Sequence, residues 1–193
     1  MRILYIYCHP LPESFHAALR EQALAGLEQA GHTVDLMDLY AEGFDPVLTT
    51  EGRRHYHDIP QNRQGLEGII GRLQGAEALV VQFPTWCFGP PAMLKGFFDR
   101  VLMPGVAFDI SDPAHVRPSM TNIRKIAGIV TYGRPRYMAF YMSDPPRKVV
   151  RRYLKWFTGG ARTEYHALYD LNVASDLTRR RFLDRVRAAM AAF

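Results

Sequence analysis

Three apolar runs limit what this chain can fold into. Residues 2–8 read RILYIYC, residues 77–83 EALVVQF and residues 124–130 RKIAGIV. A strand with one wet face alternates apolar and polar residues. A run without alternation fits a strand covered on both faces, as in a parallel sheet. Stretches of helical period separate the runs. Residues 13–30 put Phe15, Leu19, Ala23, Leu24 and Leu27 on one stripe, and Gly31 is placed to end that helix. Residues 63–74 and 91–102 read as two more helices, and Asp176 to Met190 as the closing one. RKVVRRYLKWF, residues 147–157, reads as an amphipathic helix with Val149, Val150, Tyr153, Leu154 and Phe157 inside and its Arg and Lys residues outside. HTVDLMDLY, with Val34, Leu36 and Leu39, and RTEYHALYDL supply a second and a fifth strand.

Strand and helix therefore alternate five times. The pattern predicts an α/β, doubly wound, five-stranded parallel sheet in the flavodoxin-like order 2-1-3-4-5, with helices on both faces. Residues 40–62 have no period beyond a turn of helix at Thr50 to Tyr56, and residues 103–122 and the stretch after Thr131 read as loops. With 48% hydrophobic and 22% charged residues, the chain is expected to be one domain, 1–193, with a sizeable core.

The two cysteines, Cys8 and Cys87, do not make a disulfide framework or a four-ligand zinc site, and are expected to be buried or half-buried thiols. His55 and His57 alternate as two metal ligands would, but no third ligand is near, so no metal is expected. No apolar run approaches the roughly 20 residues that cross a bilayer, and no leader with a cleavage site opens the chain. A cytoplasmic protein without an integral membrane segment is the expectation. The net charge of +5 gathers in RKVVRRYLK and RRRFLDRVR, but no nucleic-acid reading motif accompanies it.

In such a sheet, ligands sit beyond the carboxyl ends of the strands, where the strand order reverses. Three loops meet there. The first, HPLPESFHAAL, has neither G-x-G-x-x-G nor a P-loop, but offers His9, Ser14 and His16 at a helix start suited to an anion. The second, FPTWCFGPP, ends a strand at Pro84 and shows Trp86 and Phe88, a wall for a planar ring. The third, TYGRPRYMAFYM, offers Thr131 and the backbone around Gly133 for a ring edge, with Tyr132 and Tyr137 as aromatic surface and phenolic donors and Arg134 and Arg136 as added charge.

HPLPESFHAAL, GHTVDLMDLY, FDP and PAMLKGFFDRV together resemble the NAD(P)H dehydrogenase (quinone) family of flavodoxin-like quinone reductases. The resemblance runs over nearly the whole chain and is densest before residue 110. It implies a bound FAD or FMN, NADPH or NADH as co-substrate, a quinone or similar electrophile as acceptor, and two-electron hydride transfer by a ping-pong mechanism. It also implies a homodimer with its sites at the subunit interface. By position, His9, Ser14, Phe15 and His16 would meet the flavin's phosphate and ribityl chain. Pro84, Thr85, Trp86, Cys87 and Phe88 would border its ring, and Thr131, Tyr132 and Gly133 its other edge. Tyr137 would handle the proton. The chain departs from the family at His16, where Asn is common, and in its third loop, which has no His. Two other readings compete: a regulatory flavoprotein subunit of a potassium efflux system, and a flavodoxin-type electron carrier, against which the positive charge argues.

Overall fold

The computed structural model describes residues 1–193 apart from Pro113. The three apolar runs become β1 (Arg2–Tyr7), β3 (Ala78–Pro84) and β6 (Lys125–Thr131). β2 (Thr33–Asp38) and β7 (Arg162–Leu168) flank them. All neighbours are parallel, in the order β2-β1-β3-β6-β7. This is the expected order 2-1-3-4-5, because two short strands take the numbers between. These are β4 (Phe108–Asp109) and β5 (Arg117–Pro118), an antiparallel pair in the region read as irregular.

The central strands are apolar on both sides because both sides are covered. Every residue of β3 is buried. Along β1, Ile3, Tyr5 and Tyr7 join one core with α1 (Phe15–Gln29) and α8 (Asp176–Ala191), through Leu19, Leu27, Phe182 and Val186. Leu4, Ile6 and Cys8 join the other with α3 (Glu67–Gly75) and α4 (Ala92–Val101), through Ile70, Leu73, Leu94 and Phe97. α2 (Thr50–Arg54) is the turn of helix expected near Thr50. No helix among the described residues is long and apolar enough to cross a membrane.

Two segments differ from the sequence expectation. The loop after Thr131 contains a short helix, α5 (Arg136–Tyr141), in which only Ala139 is buried; so small an apolar face leaves almost no helical period to read. The basic helix begins earlier, at α6 (Pro145–Lys148), where Asp144 caps it. It is π-helical over Val149–Leu154 and ends in α7 (Lys155–Phe157). Val150, Leu154 and Phe157 are buried as expected, but Tyr153 is 41% exposed, since the wider turn shifts the inward stripe.

Glycine has a packing reason in α4. A Cβ on Gly96 would overlap the Pro46 carbonyl oxygen, so the helix rests directly on the backbone of the long β2–α3 connection. A Cβ on Gly71, in α3, would meet nothing within 4 Å. Gly96→Ala is expected to cost about 1–3 kcal/mol by overpacking. Gly71→Ala should gain up to about 1 kcal/mol in helix propensity. Urea denaturation of the two variants checks this; equal midpoints would contradict the close approach at Gly96.

Candidate active site

The three loops meet at the carboxyl ends of β1, β3 and β6. The Thr85 N–H donates to the Thr131 carbonyl (2.8 Å), which ties the second loop to the third. Beneath them lies a buried polar chain. Tyr5 donates its phenol hydrogen to Gln82 Oε1. Gln82 Nε2 donates to the His16 carbonyl (2.6 Å) and to His16 Nδ1 (3.1 Å). With Nδ1 accepting, the proton of the neutral ring is on Nε2, which donates to Thr131 Oγ1 (2.8 Å). Tyr5, Gln82, His16 and Thr131 are all at most 2% exposed.

This chain redirects three of the expected contacts. The His16 ring and the Thr131 hydroxyl face each other inside the protein rather than a ligand. Tyr132 also turns inward: it is 1% exposed, and its phenol oxygen lies 2.5 Å from both Asp144 Oδ1 and the Tyr165 hydroxyl. Its ring stacks on Tyr169 at 4.5 Å between centroids. Tyr132 thus lacks the aromatic surface read from the sequence, and its main chain is also engaged: its N–H donates to the Leu168 carbonyl (2.8 Å) and its carbonyl accepts from the Leu171 N–H (2.9 Å). Phe15 packs beside Phe182, 6.5 Å between centroids.

The surface left for a ligand is built on His9, the start of α1 and the second loop. The His9 ring stacks on His16, 5.3 Å between centroids, and stands 6.1 Å from Trp86. His9 Nδ1 accepts from the Leu11 N–H (3.2 Å), which leaves Nε2–H as a donor. Ser14 caps α1 by accepting from the Ala17 N–H (3.2 Å). Its hydroxyl also lies beside the Tyr7 phenol, whose pKa desolvation raises and Ser14 lowers; next to it are the first helical amides, those of Phe15 and His16, which no turn of helix satisfies.

Residues 86–89 form a closed two-residue turn. The Trp86 N–H donates to the Gly89 carbonyl (3.0 Å), and the Gly89 N–H to the Trp86 carbonyl (2.9 Å). Cys87 and Phe88, between them, both have positive φ, 50° and 55°. Such turns normally carry Asn-Gly or Gly-Gly, and a residue with a Cβ costs on the order of 1 kcal/mol at each place. The amides of Cys87 and Phe88 have no backbone acceptor among the described residues. Trp86 is 43% exposed and Phe88 half-buried, so the turn is a rigid rim with a flat indole and unpaired donors. Cys87 is exposed, unlike the expectation for both thiols, while Cys8 is fully buried and its pKa is pushed up to about 12 by desolvation.

Gly133 is half-buried, and a Cβ there would press on the Asn172 amide at 3.0 Å. Tyr137, on the first turn of α5, is 72% exposed. Gln82, Asn172 and Asp144 were not foreseen. Gln82 did carry a signal, as the one polar residue inside an apolar strand. His55, from the His pair, is held by Glu51 and Asp58, each at 2.8 Å.

The family model described as "Flavodoxin-like fold" matches residues 1–191. The chain belongs to that family. Flavodoxin-like proteins similar to it include the ribosyldihydronicotinamide dehydrogenase [quinone] of Pongo abelii, 35% identical over 125 residues, which are 56% of this chain and 54% of the relative. The chain spans about half the length of the curated relatives it matches. Among solved structures, Smu.1420 from Streptococcus mutans superposes with a TM-score of 0.87 at 29% identity, covering 100% of both chains. The NAD(P)H:quinone oxidoreductase from Methanothermobacter marburgensis gives 0.81 at 25% identity, covering 99% of this chain and 98% of that one.

Desolvation, with the neighbouring His9 second, lowers the His16 pKa to about 3. Below the unfolded value near 6.5, the unfolded chain takes up a proton that the folded chain does not. Stability is therefore full above about pH 6.5 and falls toward pH 3, by up to about 1.4 kcal/mol per pH unit. Urea unfolding at pH 7 and pH 5 should show a smaller acid loss in His16→Asn than in the parent chain; parallel losses would refute the assignment. Cys87→Gly should raise stability by up to about 1 kcal/mol, since glycine accepts the positive φ without strain.

Proposed function

We propose that this chain is a flavin-dependent NAD(P)H:quinone oxidoreductase, a single domain that works as a cytoplasmic homodimer. The observation that carries the reading is the strained Trp86–Gly89 turn beside His9, whose ring stacks in turn on His16 of α1. A turn that keeps two Cβ-bearing residues at positive φ stores strain of the kind found at binding sites. The comparisons support the activity, because relatives with this fold carry quinone reductase names.

The residues present fit a flavin, FMN or FAD. The amides of Phe15 and His16, with the Ser14 hydroxyl and His9 Nε2–H, are donors for a phosphate and ribityl chain. The unpaired amides of Cys87 and Phe88 would meet the polar edge of the ring, beside Trp86, with Pro84 and Thr85 as its base. The main chain at Thr131, Tyr132 and Gly133 would border the opposite edge, with Asn172 as a neighbour. When bound, the flavin accepts hydride from NADH or NADPH and passes it to a quinone or similar electrophile. The protein binds, orients and supplies protons. Nicotinamide and quinone use the same open face beside Trp86 in turn, which gives a ping-pong order. The Tyr137 phenol, exposed on α5, donates the proton to the reduced acceptor. Trp86 and Tyr137 are among the exposed aromatic residues, and a second subunit would cover them to close the site.

The visible spectrum of the purified chain, with mass identification of any released chromophore, tests the reading. A flavin spectrum and NAD(P)H-dependent quinone reduction are expected. A colourless chain that takes up neither FMN nor FAD would overturn it. Trp86→Ala should weaken flavin retention by about tenfold, the loss of one aromatic face. Tyr137→Phe should lower turnover while leaving the flavin content unchanged.

A further inference from the structure

We propose that the groove between α5 and the basic helix binds the 2′-phosphorylated adenosine end of NADPH and so makes the chain prefer NADPH to NADH. This rests on the oxidoreductase reading above. The groove has a volume of about 850 Å³ and is lined by Arg136 and Phe140 from α5, and by Arg147, Lys148, Arg151 and Arg152 opposite. That volume lies within the roughly 300–1,000 Å³ typical of small-molecule clefts. An ordinary solvated helix face would spread its charge outward, whereas here five cations line one concavity, the Arg147 guanidinium lying over the Tyr165 ring at 5.6 Å and the other four free of such a contact among the described residues.

Their charge is not balanced within the protein. None of the five forms an ion pair among the described residues. Arg147 and Arg151, like Lys148 and Arg152, stand four residues apart, a spacing at which like charges repel on a helix. A dianionic phosphate between the rows would remove that repulsion, and guanidinium groups grip phosphate oxygens in pairs.

The acidic side of the account is as telling. A site for NADH commonly offers a carboxylate to the adenosine 2′-hydroxyl, whereas a site for NADPH offers Arg to the 2′-phosphate. The one carboxylate lining the groove is Asp144, and its Oδ1 is engaged by the Tyr132 phenol (2.5 Å) and the Arg147 N–H (3.4 Å). Its Oδ2 has no hydrogen-bond partner among the described residues, so one carboxylate faces five cations in the groove, a balance that favours a phosphate over a ribose hydroxyl. At the lip, Phe140 and Tyr141 are 84% and 85% exposed, and a purine ring has their faces to lie on. Tyr132 connects the groove to the third loop, so the adenosine end would sit next to the ring site rather than remote from it.

Calorimetric titration of the purified chain with adenosine 2′,5′-bisphosphate, adenosine 5′-monophosphate and inorganic pyrophosphate tests the proposal. The bisphosphate is expected to bind at least about tenfold more tightly than the monophosphate, with an advantage that shrinks as salt rises. The double variant Arg151→Gln/Arg152→Gln, and separately Arg136→Gln on the opposite wall, should lose the advantage while melting at the parent temperature. Arg151→Lys/Arg152→Lys should keep part of it. Equal affinity for the two nucleotides overturns the proposal. So does pyrophosphate binding as tightly as the bisphosphate, a preference that survives in the Gln variants, or no binding at all because a second copy covers the groove. A chain without flavin that still prefers the bisphosphate would sink the oxidoreductase reading and leave a nucleotide groove. A flavin-loaded chain with no preference would sink the groove alone.

Discussion

Gln82 is the polar centre on which the site depends. It is 0% exposed in a strand whose every other residue is apolar. A buried amide is tolerable only when its donors and its acceptor are all used, because each unmet group costs about 1–3 kcal/mol. Tyr5 fills the acceptor, and the backbone and ring of His16 fill the donors. The amide thereby fixes which nitrogen of His16 carries the proton, and His16 in turn orients Thr131. One side chain pins the middle of β1, the start of α1 and the end of β6 to β3, and the proposed ligand surface is laid over those fixed points.

The second loop shows what such a base permits. A two-residue turn with Cys and Phe at positive φ would relax in a free peptide. Here β3 and α4 hold its two ends, while the Thr85–Thr131 hydrogen bond fixes its root. The strain is borne by packing elsewhere, and what it gives is a rim whose donors and indole are set before any ligand arrives.

The sheet order was readable in the sequence because parallel strands buried on both faces leave runs such as RILYIYC and EALVVQF, and the helices between them keep their period. The meeting of the three loops followed from the topology alone. The inward turn of His16, Thr131 and Tyr132 was not legible, because spacing places a residue at a strand end without saying whether its polar atom faces a ligand or a neighbour. α5 was missed for want of an apolar stripe. The basic helix was read as a solvated face, since convergence of its charges on a groove needs the opposing wall of Arg136 and Phe140, which are near in space and set apart by Ser143 and Asp144, both at positive φ.

The contrast between the two thiols has a use in the laboratory. Cys8 lies at the end of β1 with no solvent contact and a strongly raised pKa, so it is inert to alkylating reagents in the folded state. Cys87 stands exposed on the rim itself. The unaltered chain therefore carries a single native handle for a fluorophore or spin label, positioned to report on whatever lies against Trp86.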